Sequence, residues 1–184
     1  MTIPALRRQS TTLLLIDLQE RLLAAMDPQL APTLVKQLGV LVEGAKVLGL
    51  PVLTTEQYPK GLGPTIASLR ERLDEPPIEK LEFSAFANQR ARESIMARGA
   101  HSVILCGMET HVCVYQTARD LLGYGFHVFI PRDAVLSRKE LNVQTGLSLC
   151  ERAGAVITSV EAVLFELVGS AADPSFKEIS RLIR

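Results

Sequence analysis

The chain has no tryptophan and few other aromatic residues, three tyrosines and six phenylalanines in 184 residues. Surfaces that stack nucleic-acid bases are built from such rings, so a nucleic-acid partner is not expected. An excess charge of either sign is also missing, because 20 lysines and arginines balance 20 aspartates and glutamates. The composition therefore offers no basic face to a polyanion or an acidic lipid surface. Long apolar runs are absent too. The longest, residues 11–16 and 102–106, fall far short of the ~20 residues of a membrane-spanning helix, so no membrane partner is expected. The first nine residues hold two arginines and no apolar segment of the kind a secretory signal needs. A soluble, cytoplasmic protein is expected. Cysteines number three, at 106, 113 and 150, with no CxxC pair. Such a set suits neither a disulfide framework nor a zinc site, and it leaves at least one thiol free.

Cofactor signatures are equally scarce. Where a dinucleotide fingerprint would follow the first strand, the sequence reads Ile16, Asp17, Leu18, Gln19, and neither GxxxxGK[ST] nor GxSxG occurs. Gly61 and Gly63 are followed by Pro64 and read as a turn. The histidines at 101, 111 and 127 form no HExxH and no close pair with carboxylates. No metal and no other cofactor is expected.

What is present is an alternation of short β-branched or leucine-rich runs with helical periodicity, the pattern of βαβ units. Residues 11–16, 51–55, 78–81, 102–106, 126–130 and 155–158 read as six strands. Helical spacing covers 33–48, 65–73, 88–98, 110–122, 141–152, 160–167 and 175–183. Gly107 is expected to end the fourth strand. Residues 1–184 are thus expected to form one domain, a three-layer α/β/α sandwich with a parallel sheet. Ligands of such sheets bind outside the carboxyl ends of the strands. That rule nominates Asp17, Glu56 and Gln57, Lys80, the segment 107–113, and Asp133.

Among these, Asp17, Lys80 and Cys113 form a nucleophile set. An unperturbed thiol titrates at about 8.5, and a helix N-terminus or a nearby ammonium lowers that value, so Cys113 is expected to favour the thiolate. Asp17 is placed to take its proton, and Lys80 to hold the carboxylate and the ionised sulfur. Each has a plainer reading. Cys113, between Val112 and Val114, can be a core residue, and Lys80 a surface charge. Asp17 is hardest to explain away, because a carboxylate directly after apolar residues 13–16 needs a partner or a function. His111 lies two positions before Cys113 on the same predicted helix and does not face it. Two other readings stay open: a catalytically idle binding or scaffold protein, and a redox protein in which Cys106 resolves an oxidised Cys113.

Three segments carry a further signal: Leu14-Leu15-Ile16-Asp17-Leu18-Gln19, Glu79-Lys80-Leu81-Glu82-Phe83-Ser84-Ala85-Phe86, and Cys106-Gly107-Met108-Glu109-Thr110-His111-Val112-Cys113-Val114. Together they resemble the isochorismatase-like cysteine hydrolases, over nearly the whole chain. The similarity is greatest to isochorismatase-domain proteins of unassigned substrate. It implies a Rossmann-like fold with a six-stranded parallel sheet, and a catalytic triad of Asp17 as base, Lys80 as electrostatic anchor and Cys113 as nucleophile. It further implies a non-proline cis peptide between Met108 and Glu109, an oxyanion hole from the backbone N–H groups of Glu109 and Cys113, and assembly into a homo-oligomer.

The departures narrow the activity. Nicotinamidases of this family carry an Asp-x-His metal site after the second strand, where this chain has Thr55, Glu56, Gln57 and Tyr58. Siderophore-pathway isochorismatases commonly lack the cysteine that stands here as Cys113. Neither of those activities is expected. The expected reaction is a metal-independent, amidase-type hydrolysis of a small amide or related carbonyl compound through a thioester on Cys113. Gln19, Gln57, Tyr58, Phe83 and Phe86 are expected to line the substrate pocket.

Overall fold

The computed structural model describes residues 3–184. In chain order the elements are β1 (Thr11–Ile16), α1 (Glu20–Ala24), α2 (Ala31–Val47), β2 (Val52–Gln57), α3 (Pro59–Leu62), α4 (Ala67–Arg70) and β3 (Ile78–Lys80). They continue with α5 (Gln89–Ala97), β4 (Ser102–Met108), α6 (Tyr115–Gly123), β5 (His127–Pro131), β6 (Val135–Leu136), α7 (Glu140–Ala153), β7 (Val156–Thr158), α8 (Val160–Val168) and α9 (Phe176–Ile183).

β1 and β4 are buried at every position. An unbroken apolar run does this on a strand covered on both faces, where an alternating one would leave one face wet. These two strands form the centre of a sheet ordered β3-β2-β1-β4-β5-β7 in which every pairing is parallel. Helix α2 packs with α8 and α9, while α6 packs with α7 and with the 3-10 turn Ala85–Ala87 that leads into α5. The fold is the three-layer α/β/α arrangement read from the sequence.

The sheet has seven strands rather than six. β5 pairs with the first residues of β4, Ser102 to Ile104, and β6 pairs with its last two, Gly107 and Met108. The chain steps out of β5 through the 3-10 turn Arg132–Ala134 and returns beside the same strand. A two-residue strand carries no periodicity, so nothing in the sequence marks β6. Gly107 also does not end β4 but lies inside it. Its φ is +121°, and a Cβ there would overlap the carbonyl oxygen of Ile16, so the β1 and β4 backbones meet where only glycine fits.

Two further boundaries differ. The expected helix over 65–73 shrinks to the single turn α4, and α1 and α3 are short turns without readable spacing. The stretch 110–122 is not one α-helix: it opens with a π-helical turn, Thr110–Val114, that merges into α6.

Candidate active site

Asp17 is the first residue beyond β1 and has φ +52°. This left-handed step directs a fully buried carboxylate across the carboxyl ends of the neighbouring strands. Its Oδ1 accepts a hydrogen bond from Thr55 Oγ1 at 2.8 Å, and its Oδ2 one from Lys80 Nζ at 2.7 Å. Lys80, the last residue of β3, is buried as well. Its ammonium also donates to Gln57 Oε1 at 2.7 Å and to the carbonyls of Glu82 and Phe83 at 3.2 and 3.4 Å. The parallel register sets Gln57 beside Lys80, and Ile16 beside both Thr55 and Gly107, so the ends of four strands, β1 to β4, converge.

Cys113 enters from the π-helical turn after β4. The Glu109 carbonyl accepts from the N–H groups of Val112 at 3.1 Å and Val114 at 3.2 Å, skipping the residue between them. The Cys113 thiol lies beside the Asp17 carboxylate and the backbone N–H of Glu109, close enough for both to act on its titration. The structure thus brings Asp17, Lys80 and Cys113 into one cluster.

The electrostatics correct one expectation. Burial, and then the negative charge of Asp17, push the Cys113 thiol up to about 12 against the opposing pull of Lys80 and the Glu109 N–H. The resting group is therefore a neutral thiol and not a thiolate. The thiol of a residue only 7% exposed loses more by desolvation than the turn and the ammonium return to it. Burial likewise raises the Asp17 carboxyl above its ordinary range, although Lys80, Thr55 and Cys113 all pull it down.

Around this centre the sequence-nominated residues separate. Gln57 reaches it through Lys80. Gln19 is wholly buried and its amide is committed to backbone: Nε2 donates to the Gln57 and Gly63 carbonyls at 3.0 and 2.7 Å, and Oε1 accepts from Gln57 N–H at 2.8 Å. Tyr58 and Phe83 are 51% and 54% exposed. Phe86 is buried and packs edge-on against Tyr124 and Phe126, with centroids 5.2 and 5.8 Å away. Glu56 accepts from Thr65 N–H and Oγ1 at 2.6 and 2.7 Å, and Asp133 accepts from Val160 N–H at 3.0 Å, at the start of α8. Beside β3 lies a cavity of about 430 Å³ lined by Tyr58, Lys60, Lys80, Leu81, Glu82 and Asn88 among others.

Three residues at this site were not singled out from sequence. Thr55 holds Asp17, while Ser137 and Arg138 hold the turn at 109–111. The peptide bond between Met108 and Glu109 is cis. The Glu109 carboxylate receives Arg138 Nε at 2.8 Å, Nη2 at 3.1 Å and the Arg138 backbone N–H at 3.3 Å. Burial works against this charge, yet those bonds hold the Glu109 carboxyl below its usual range.

The model of the isochorismatase domain matches residues 11–162. The chain belongs to the isochorismatase family. It is 38% identical over 180 residues to a secreted isochorismatase effector of Phytophthora sojae, covering 95% of this chain and 85% of the effector. It superposes with a TM-score of 0.91 on the MAR1 ribonuclease of Caenorhabditis elegans, at 36% identity, covering 98% and 92% of the two chains. With a TM-score of 0.88 and 26% identity it matches the YcaC gene product of Escherichia coli, described as an octameric hydrolase of unknown specificity, covering 97% and 89%. This isochorismatase-family chain therefore has the isochorismatase-like hydrolase fold. Among its described residues no helix is long and apolar enough to cross a membrane.

Proposed function

We propose that the chain is a metal-independent cysteine hydrolase acting on a small amide or related carbonyl compound. The observation that carries this reading is the fully buried Asp17 and Lys80 pair with the Cys113 thiol beside it. A charged pair out of reach of solvent is costly as a structural element, and here it ends on a nucleophile.

In the proposed reaction Cys113 Sγ attacks the substrate carbonyl carbon while its proton passes to Asp17, whose burial makes it the stronger base. The carbonyl π electrons move to oxygen, where the backbone N–H groups of Glu109 and Cys113 receive the developing charge. As the oxyanion collapses, the carbon–nitrogen bond breaks and the departing amine takes the proton back from Asp17. The thioester on Cys113 is then cleaved by water, with Asp17 again removing a proton and returning it to the sulfur. Lys80 keeps Asp17 fixed throughout by giving it one of the two shortest hydrogen bonds of its ammonium. Gln57 steadies Lys80, and the exposed rings of Tyr58 and Phe83 meet the substrate's apolar part.

A cytoplasmic setting goes with this reading, since Cys106, Cys113 and Cys150 are all free. We extend the proposal to a homo-oligomer, on the grounds of the octameric relative and of three exposed apolar side chains, Tyr58, Leu81 and Phe83, beside or near Lys80. Light scattering on the purified chain tests it by giving a mass above 20.1 kDa.

The activity is tested with a panel of small primary amides, with RNA as a parallel substrate, on wild type and Cys113→Ala. Amide turnover that disappears in the variant is expected. Turnover retained by a clean Cys113→Ala preparation overturns the mechanism, and RNA cleavage in place of amide turnover overturns the substrate class.

A further inference from the structure

Three consecutive residues of the turn that carries Cys113 are held by the two residues that follow β6. Ser137 Oγ accepts the Thr110 N–H at 3.0 Å and lies 3.1 Å from His111 Nδ1. Arg138 grips the Glu109 carboxylate through two guanidinium nitrogens and its own backbone N–H. The two-residue strand β6 pairs only with Gly107 and Met108, directly before this turn, and so delivers residues 137 and 138 to it.

The two ends of the Glu109 and Arg138 pair differ in burial. The Glu109 side chain is buried, whereas that of Arg138 is 59% exposed. A pair with so wet a partner adds little to folding stability. Its forked, charge-assisted geometry instead fixes direction. What it fixes is the residue whose backbone N–H faces the Cys113 sulfur.

We propose that Arg138, acting through the Glu109 carboxylate, is a positioning residue for the backbone N–H that receives the oxyanion when Cys113 attacks a carbonyl. This rests on the thiol-hydrolase reading above. With Thr110 and His111 tied to Ser137, the Glu109 side chain is a further handle on that N–H, and Arg138 holds it from the surface.

The test needs no known substrate and uses the full chain with two reagents at Cys113. Propanal adds reversibly: sulfur bonds to the carbonyl carbon, the thiol proton goes to Asp17, and the π electrons move to oxygen, which needs the N–H donor. Iodoacetamide is displaced at a saturated carbon, with iodide leaving, and builds no oxyanion. Propanal affinity is read as protection of Cys113 from iodoacetamide by peptide mass spectrometry. In Arg138→Met we expect that affinity to fall by about tenfold to a hundredfold, somewhat less than outright loss of an oxyanion donor. The uninhibited iodoacetamide rate is expected to fall far less than the propanal affinity, only by what the Glu109 N–H contributes to the thiolate. Arg138→Lys, which keeps the charge without the fork, should recover part of the affinity. Glu109→Gln should weaken it, and adding Arg138→Met to Glu109→Gln should cost little more, because the two act as one unit.

Unchanged propanal affinity in both Arg138 variants overturns the proposal. So does an equal loss toward both reagents, which would mark Arg138 as merely structural. If wild-type Cys113 reacts with iodoacetamide but forms no propanal adduct, the thiol-hydrolase reading itself falls, an outcome visible before any variant is made.

Discussion

Nζ of Lys80 lies 2.7 Å from Oδ2 of Asp17, and neither side chain has exposed surface. Removing one member of such a pair strands the other, at a cost of about 3–5 kcal/mol. Lys80→Ala is therefore expected to destabilise the chain by about that amount in urea unfolding. Asp17→Asn should cost less, because the neutral amide keeps Thr55 as a partner and Lys80 keeps the oxygens of Gln57, Glu82 and Phe83. A larger loss for Asp17→Asn than for Lys80→Ala would contradict this account of the buried charges.

The raised thiol predicts a pH profile. With Cys113 pushed up to about 12, the reactive thiolate fraction grows about tenfold per pH unit well below that value. The iodoacetamide rate at Cys113 should climb from about pH 7 to pH 10 without levelling. In Asp17→Asn the neighbouring negative charge is gone, the thiol pKa falls, and the rate at any pH in that range should rise. A plateau below about pH 8 in wild type would show a standing thiolate instead.

Gly146 of α7 presses on the nucleophile's turn. A Cβ at that position would sit 2.6 Å from the Thr110 carbonyl carbon and 2.7 Å from the His111 nitrogen. These are backbone atoms and cannot rotate aside, so Gly146→Ala must move the helix or the turn. Overpacking of this kind costs about 1–3 kcal/mol. The expected result is a folded chain with lowered urea stability and a propanal affinity at Cys113 below that of wild type. Wild-type propanal affinity in a folded Gly146→Ala would show that the turn tolerates displacement.

Much of this architecture is legible in the sequence because it rests on local signals. The continuous apolar runs at 11–16 and 102–106 mark the two central strands, and Asp17 and Lys80 stand at strand ends where charge is conspicuous. What escapes is decided by tertiary packing. β6 is two residues long and exists because β4 outlasts β5. The turn at Thr110–Val114 takes a π register where the local sequence reads as α-helix. Glu109 and Arg138 lie 29 residues apart, a separation that no periodicity rule connects. The thiolate expectation failed for a related reason: the turn and the ammonium are visible in sequence, whereas the degree of burial at Cys113 is not.

The high thiol pKa also bears on how the chain endures between turnovers. Peroxide consumes sulfur as thiolate, and the resulting sulfenic acid has to be rescued or is lost to further oxidation. A sulfur that stays protonated until Asp17 relieves it of the proton offers oxidants little to attack. Cys106, fully buried and with its thiol pushed higher still, is no more available. The thiolate that oxidants consume is thus scarce at rest near neutral pH, and the group that makes the nucleophile reactive in turnover, Asp17, is also one of the groups that keep it protonated between turnovers.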